Sequence, residues 1–384
     1  MFTRQRNAMR KGFVLPSLLL FTLILAACSQ DPVPTAVSGN PRIDLVRDSV
    51  AMLGTAGEVP IIFQMAVTPG GDFYAAGAEL RSDNSFEQGN LWKLSAGGSW
   101  VSALDPATQA LVTSVRGVAV SPSGAVWITG HRKQPDALGY SIIMRGFEDN
   151  WMEVSPESSF EATHVSVAGE DDVWFYGQSD VVLHYDNGSW EYTLLPDSLS
   201  VRYGNALWVQ SVAADAASTY ALVTVGNTTD QGRIVMQYHN GVWQPFYAEG
   251  NVDTTALPNG AILSPVDRDL RTLLLHRDGS LRGIGAAVYR WNGERFEQEF
   301  RPRNGESLLT ASRAPSGQIM AGGVAMASAW SDGLTWFHVH MAHESTPIIH
   351  ALAFNDSVGV LAVSDTMDAS YEILRGPISR VTPP

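Results

Sequence analysis

The stretch that decides the fold is residues 165–190, which read VSVAGEDDVWFYGQSDVVLHYDNGSW. Its first half predicts two short strands of small, β-branched and aromatic residues, joined by a tight turn and ending at Gly177. Its second half predicts a hairpin, because Asn187-Gly188 supplies the positive φ angles of a type I′ turn. Trp190 follows that turn. The two hairpins together form a unit of four short strands.

This four-strand unit recurs along the chain. The first hairpin has clear copies at 65–77, 118–130 and 165–177 and weaker ones near 212–226, 273–285, 311–323 and 351–364. The second hairpin has copies at 91–100, 142–151, 181–190, 234–243, 287–296 and 327–336, and a degraded one at 371–378. Asn-Gly or Asp-Gly begins at positions 187, 240, 292 and 332, so each of these is predicted as a two-residue hairpin turn.

Seven copies of a four-stranded unit predict an all-β chain folded as a β-propeller of seven four-stranded blades; six or eight blades also fit the pattern. A single four-stranded sheet cannot bury both faces, so neighbouring blades must cover each other. The recurring Trp at the start of the fourth strand is predicted to fill the gap between blades. Residues 44–64 are predicted to close the ring by completing the last blade, whose own fourth strand is weak.

The repeats resemble those of bacterial propellers built from V-W-x-x-G … L-H-Y-D-N-G-S-W units. The match is clearest at residues 173–177 and 183–190. The resemblance covers nearly the whole chain after its N-terminal segment, and it implies a fold rather than an activity.

The N-terminal segment has the order of an export signal. A basic stretch, residues 1–11, precedes an apolar stretch, residues 13–25, which is short for a membrane span. Leu25-Ala26-Ala27-Cys28 then resembles the bacterial lipobox, which implies cleavage before Cys28 and attachment of diacylglycerol to its thiol. The predicted domains are therefore a signal peptide (1–27), an acylated Cys28 with a flexible tether (28–43) and one propeller (44–384). Ser29 favours the outer over the inner membrane in a cell that has both.

Composition excludes several classes of partner and site. The chain has 25 Lys and Arg against 39 Asp and Glu, a net charge of −14, which argues against nucleic acid and against adsorption to anionic lipid. One Cys allows no intramolecular disulfide and no Cys-rich zinc site. No cofactor is predicted.

The long connections all follow the second or fourth strand of a unit, so they are predicted to share one face of the propeller. They are residues 78–89, 131–140, 196–206 and 248–260. Loops held by a rigid scaffold commonly carry binding residues. The candidates for ligand contact are Arg81, Asp83, Phe86, His131, Arg132 and Tyr203.

Catalytic motifs are sparse. The sequence has neither a Gly-x-Ser-x-Gly elbow nor a phosphate-binding loop. His338, His340 and His343 are candidate zinc or copper ligands, although a solvated outer strand explains them as well, and no metal is predicted. The sequence favours a non-enzymatic, lipid-anchored envelope protein that binds a protein or a glycan through its long-loop face. The alternative is a propeller hydrolase or lyase acting on envelope or extracellular polysaccharide, with carboxylate pairs such as Asp171-Asp172 or Asp267 with Asp269.

Overall fold

Short antiparallel strands make up most of the computed structural model. It describes residues 40–48, 59–80, 86–136, 139–147, 150–156, 160–227, 230–258, 260–303, 306–342, 347–364 and 371–381. Residues 1–39, which include the predicted signal peptide and Cys28, lie outside the described residues, as do Arg81, Asp83 and His343. No helix of the described residues has the length and apolar composition needed to cross a membrane.

Two strands, β1 (Asn40–Asp44) and β2 (Val46–Asp48), precede the first repeat. Blade 1 then contains β3 (Val59–Val67), β4 (Phe73–Leu80), β5 (Phe86–Leu94) and β6 (Val101–Ser102). Blade 2 contains β7 (Val112–Val120), β8 (Val126–Asp136), β9 (Gly139–Phe147) and β10 (Asn150–Glu153). Blade 3 contains β11 (His164–Val167), β12 (Asp172–Tyr176), β13 (Val181–Asp186) and β14 (Ser189–Leu194).

Blade 4 contains β15 (Leu207–Ala214), β16 (Thr219–Asn227), β17 (Asp230–His239), β18 (Val242–Gly250) and a short addition, β19 (Ile262–Leu263). Blade 5 contains β20 (Thr272–Leu275), β21 (Leu281–Ile284), β22 (Val288–Trp291) and β23 (Phe296–Phe300). Blade 6 contains β24 (Leu308–Arg313), β25 (Ile319–Gly323), β26 (Ser328–Ser331) and β27 (Trp336–His338). Blade 7 contains β29 (Ile348–Phe354), β30 (Val358–Ser364) and β31 (Tyr371–Val381), preceded in the chain by β28 (His340–Ala342).

The seven sheets confirm the predicted seven-bladed propeller. Within each blade we call the strands A to D from the axis outwards. Strands A of neighbouring blades contact one another around the axis, and blade 1 contacts blade 7 through β3 and β29. Strands B are buried along almost their whole length, as in β25 and β30, because blades cover both of their faces. Strands D, such as β14, are mostly exposed.

The ring closes through the N-terminal strands. Strand β1 pairs antiparallel with β31 and, on its other edge, parallel with β28. The prediction that residues 44–64 complete the last blade is therefore only partly correct. The closing strands span residues 40–48, four residues into the predicted tether, whereas β3 is the innermost strand of blade 1. Ile43, fully buried between blades 6 and 7, explains why the sheet starts this early.

Two of the predicted long loops are extended hairpins. Strand β8 runs to Asp136 and β9 starts at Gly139, so most of residues 131–140 are paired strand. Residues 78–89 likewise belong largely to β4 and β5. Their polar sequences predict loops, whereas the backbones of these residues pair as antiparallel strands.

The D–A connections hold the short helices. They are α1 (Pro106–Gln109), α2 (Asp197–Tyr203) and the 3-10 helices Gly204–Ala206 and Thr254–Ala256; a third 3-10 segment, Val324–Met326, lies in the B–C connection of blade 6. Strand A begins where a D–A connection ends, and the antiparallel strand B ends beside that point. The D–A and B–C connections therefore lie on one face of the propeller, as predicted. We call this the long-connection face and the opposite one the turn face.

The turn prediction holds for two of its four cases. Asn187 and Asn240 have φ angles of 48° and 51°, as a type I′ turn requires. Asn292 and Asp332 differ, because their side-chain oxygens accept hydrogen bonds from the backbone N–H groups two and three residues ahead. These two are longer turns capped by the first side chain.

The recurring Trp residues join adjacent blades, as predicted. Trp243 Nε1 donates to Thr193 Oγ1 of blade 3 at 2.9 Å, and Trp336 Nε1 donates to Glu299 Oε2 of blade 5 at 3.0 Å. Trp151 and Trp100 make the same kind of bond, to Ala103 O and Asp48 Oδ2. In each case the acceptor belongs to the preceding blade.

Candidate functional site

A ring of seven residues surrounds the axis near the long-connection face. In five blades strand A carries a β-bulge, at which one extra residue is inserted against strand B. The A–B turn of each blade is closed by a hydrogen bond between two backbone groups, such as the one from Thr68 N to Asp72 O in blade 1. The bulged residue lies five positions before the donor of that bond, as Phe63 lies before Thr68. In blades 3 and 5, where strand A is shorter, the same position holds Thr163 and Arg271. We call these residues the inner ring: Phe63, Arg116, Thr163, Gln210, Arg271, Leu309 and His350.

The inner ring borders a cavity of about 360 Å³ on the axis. Five of its members line this cavity, and Tyr176 and Trp208 add two aromatic side chains from blades 3 and 4. None of the lining residues, all of which belong to the described part of the chain, is Asp or Glu. In a chain with 39 acidic residues, a lining with Arg271 and no carboxylate differs from the composition of the protein as a whole.

Arg116 is held beside the cavity by an aromatic ring. Its guanidinium carbon lies 4.1 Å from the centroid of the Phe63 ring, and its Nε donates to Ser114 Oγ at 3.3 Å. Partial burial lowers the pKa of Arg116. The charge is retained at neutral pH, since an arginine titrates far above it.

Arg271 provides a second cation. Its Nη2 lies 2.7 Å from Asp269 Oδ1, and Asp269 also pairs with Arg233. One carboxylate is thus shared by two guanidinium groups. The Nε of Arg271 is buried and has no hydrogen-bond partner among the described residues. Because Nε is buried, the part of Arg271 that a ligand in the cavity can reach is the remainder of its side chain, which is 34% exposed.

The histidines at the cavity are neutral at pH 7. Burial, and secondly the charge of Arg116, lower the pKa of His164 to about 4. The His164 ring stacks on Tyr176, with ring centroids 5.5 Å apart, and its Nδ1 hydrogen-bonds Thr163 Oγ1 at 2.8 Å. Burial also lowers the pKa of His350, whose Nε2 hydrogen-bonds Ser364 Oγ at 2.6 Å. The two arginines therefore carry the positive charge of the site.

Of the binding residues predicted from sequence, His131 and Arg132 come together, but away from the axis. Both line a surface pocket of about 540 Å³ between blades 2 and 3. Arg132 pairs with Glu153 and donates from Nε to Ser141 O at 3.3 Å. Burial, and secondly Arg116, lower the pKa of His131.

The remaining predicted binding residues do not form a common site with these two. Tyr203 is at the end of α2, and its hydroxyl accepts a hydrogen bond from Asp253 N at 2.7 Å, which joins two D–A connections. Phe86 begins β5, where its backbone pairs with Leu80.

The candidate metal ligands are not arranged as predicted. His338 and His340 lie on different strands, because β27 completes blade 6 and β28 pairs with β1 in blade 7. Both line a cavity of about 210 Å³ with Arg303 and Glu306. Burial, and secondly Arg303, lower the pKa of His338. Among the described residues no group of three His, Cys, Asp or Glu side chains is placed to hold a metal ion.

The candidate carboxylate pairs make structural contacts. Asp171 pairs with Arg145 on the turn face, and Asp172 Oδ1 accepts a hydrogen bond from Trp174 Nε1 at 3.1 Å. Asp267 and Asp269 both pair with Arg233. Neither pair lines the axial cavity.

The inner ring was not found from the sequence. Its signal was available, since each member lies at a fixed distance before a recognisable A–B turn. The residue type at that position varies from blade to blade, so a search for similar residues in successive repeats does not detect it.

Comparison with known proteins supports the fold. No family model matches the chain, and no curated protein sequence matches it. Among solved structures the chain is similar to YCF48 bound to D1 peptide, with 13% identity, a TM-score of 0.54, and 89% of this chain and 97% of that one covered. It also matches the WD40 β-propeller domain of Doa1, with 9% identity, a TM-score of 0.48, and 88% and 97% covered. At these identities the likeness to YCF48 shows a shared propeller architecture.

Proposed function

We propose that this protein is a non-enzymatic binding module, and that it takes up a segment of a protein partner at the axial cavity on its long-connection face. The observation that carries the proposal is the inner ring, in which one repeated backbone position holds six different residue types in seven blades. A ring of mixed cationic, amide, aromatic and aliphatic groups suits a peptide, which offers charged, hydrogen-bonding and apolar groups together. The similar protein YCF48 is described as bound to a D1 peptide, which is consistent with this use of the fold.

The hydrolase alternative has less support. Two carboxylates about 5–10 Å apart across a substrate are needed for that chemistry. The described residues that line the axial cavity contribute none.

A site-specific crosslinking experiment tests the proposal. Trp208, 43% exposed at the cavity, and Val242, 51% exposed on the turn face, are replaced one at a time by a photo-crosslinking amino acid in cells that produce the protein. We expect a discrete protein adduct from position 208 and none from position 242. Equal adducts from both positions, or none from position 208, would contradict the proposal.

We further propose that the module is exported and anchored by lipid at Cys28, in the outer membrane of a cell that has two membranes. The Leu-Ala-Ala-Cys motif and the absence of any other Cys support this proposal. Intact-mass analysis of the mature N-terminus is expected to show a diacylglyceryl adduct on Cys28, and Cys28→Ser should release the protein from the membrane fraction. An unmodified mature N-terminus would rule the anchor out.

A further inference from the structure

The axial cavity has one arginine in its mostly polar lining and a second beside it. Arg116 and Arg271 occupy two of the seven inner-ring positions, and no carboxylate of the described residues lines the cavity itself. A chain with a net charge of −14 repels most anions, so a cavity that is lined by Arg271, bordered by Arg116 and without a lining carboxylate among the described residues is the more favourable place for an anionic group.

The environment of Arg271 identifies the position at which an anion fits best. Arg271 lines the cavity with a side chain that is 34% exposed, and the carboxylate that pairs with its Nη2, Asp269, is shared with Arg233. The nearby charges are fully occupied: Arg268 contacts Glu249 and Tyr247, and Asp267 pairs with Arg233. An incoming carboxylate would therefore meet a partly exposed guanidinium group that has no carboxylate to itself among the described residues.

The neighbours of Arg271 in the inner ring indicate what accompanies the anion. Gln210 in blade 4 accepts a hydrogen bond from Thr224 Oγ1 through its Oε1, at 2.7 Å, so its NH₂ group is the part left to offer a ligand. Leu309 in blade 6 and the indole of Trp208 present apolar surface to the same cavity. A carboxylate with an apolar group and a peptide carbonyl next to it matches this set, whereas inorganic phosphate has no apolar part.

The ring geometry favours a chain end over an internal loop. Strands A enclose the cavity on all sides, and its volume of about 360 Å³ is at the lower end of small-ligand pockets. One extended chain can enter such a space, but a loop would have to enter and leave through the same mouth. We propose that the axial cavity binds the C-terminal residues of a protein partner, with the terminal carboxylate on Arg271. This inference rests on the proposed function and specifies its ligand.

The test uses two peptide pools that differ only at the chain end. Fluorescein-labelled hexapeptides randomised at their last three positions are synthesised once as free acids and once as C-terminal amides, and binding to the full chain is followed by fluorescence anisotropy. We expect the acid pool to bind at least tenfold more tightly than the amide pool. Arg271→Gln should abolish this difference, whereas Arg277→Gln, which changes an exposed arginine on the turn face of the same blade, should preserve it. Thermal unfolding of both variants checks that they are folded.

Other outcomes separate this inference from the proposed function. Equal binding of acids and amides would overturn the chain-end inference while leaving peptide binding at the cavity in place. Displacement of the acid pool by inorganic phosphate at concentrations where acetate has no effect would overturn it too, in favour of a phosphate site. If neither pool binds but position 208 gives a protein adduct, the inference of C-terminal binding is rejected and the proposed binding function stands. If neither pool binds and position 208 gives no adduct, the inference and the proposed function are both rejected.

Discussion

Two sets of equivalent positions in the repeat have opposite chemistry. The outer ring, at the start of strand D, is aromatic in blades 1 to 6, where it holds Trp100, Trp151, Trp190, Trp243, Phe296 and Trp336. The inner ring, at the bulge of strand A, holds seven residues of six different types. Both sets occupy equivalent backbone positions in successive blades. Their difference in residue type therefore reflects different structural roles.

The outer ring is uniform because it has a packing task that is the same in every blade. Each Trp fills the space between two blades, and four of them also donate a hydrogen bond to the preceding blade. Five of the seven inner-ring residues line a cavity, where no neighbouring blade fills the space in front of them. A β-bulge redirects its side chain without changing the rest of the strand. Uniform positions thus maintain the propeller, and the variable ones are available for recognition.

The largest expected effect comes from breaking the outer ring. Trp243→Ala removes a side chain that is 3% exposed and should lower the free energy of unfolding by about 3–5 kcal/mol. Trp243→Phe keeps most of the packing but loses the bond to Thr193, so it should cost less than the Ala variant. Urea unfolding measures both. A loss below about 1 kcal/mol for the Ala variant would show that the outer ring does not hold the blades together.

A smaller effect, dependent on pH, is expected next to the inner ring. The pKa of His164 is about 4 in the folded chain, against an ordinary value of 6.5, so the unfolded chain takes up this proton first as the pH falls. Stability should therefore be complete above pH 6.5 and fall by about 3 kcal/mol towards pH 4 on account of this residue. The measurement is urea unfolding of the wild type and His164→Gln across that range.

The difference between the two pH profiles isolates His164, because the other histidines with lowered pKa, including His131 and His350, are present in both proteins. Parallel profiles would mean that His164 is protonated as easily in the folded chain as in the unfolded one.

The smallest expected effect comes from exchanging inner-ring residues. Leu309→Thr alters a partly exposed side chain at the cavity and should change the free energy of unfolding by less than about 1 kcal/mol. The same exchange should alter binding of the peptide acid pool, because it removes apolar surface beside Arg271. A loss of stability as large as that of Trp243→Ala would abolish the distinction between the rings.

Much of the propeller was predictable because its determinants are local. The Asn-Gly pairs at 187 and 240 fix their turns through backbone conformation alone, and the Trp positions follow from a repeated pattern. The closing strand was placed less well, since residues 40–48 find their partner in β31 at the other end of the chain. Residues 131–140 predict a loop, because they are polar and include Pro135, yet the backbone pairing of β8 with β9 continues there as far as Asp136 and Gly139.

The candidate site was harder to predict than the fold. His131 and Arg132 were identified by their charge in a polar stretch, and they do lie together in a pocket. The inner ring depends on bulges, which appear only when two strands are placed in register. Arg116 and Arg271 lie far apart in sequence and have no common motif, so only the closed ring places both beside one cavity.

Strand β1 gives the molecule an unusual order of assembly. It is the first strand of the described chain to be synthesised, yet its antiparallel partner β31 is the last, and Ser379 Oγ bonds to Arg42 O across 337 residues of sequence. The seal of the ring therefore waits for the synthesis of residues 371–381. A nonsense mutation just before β31 would leave β29 beside blade 1 but take away the antiparallel partner of β1, including Ile378 opposite Ile43. Chains truncated at that point should be recognisable to proteases by the unpaired edge of β30.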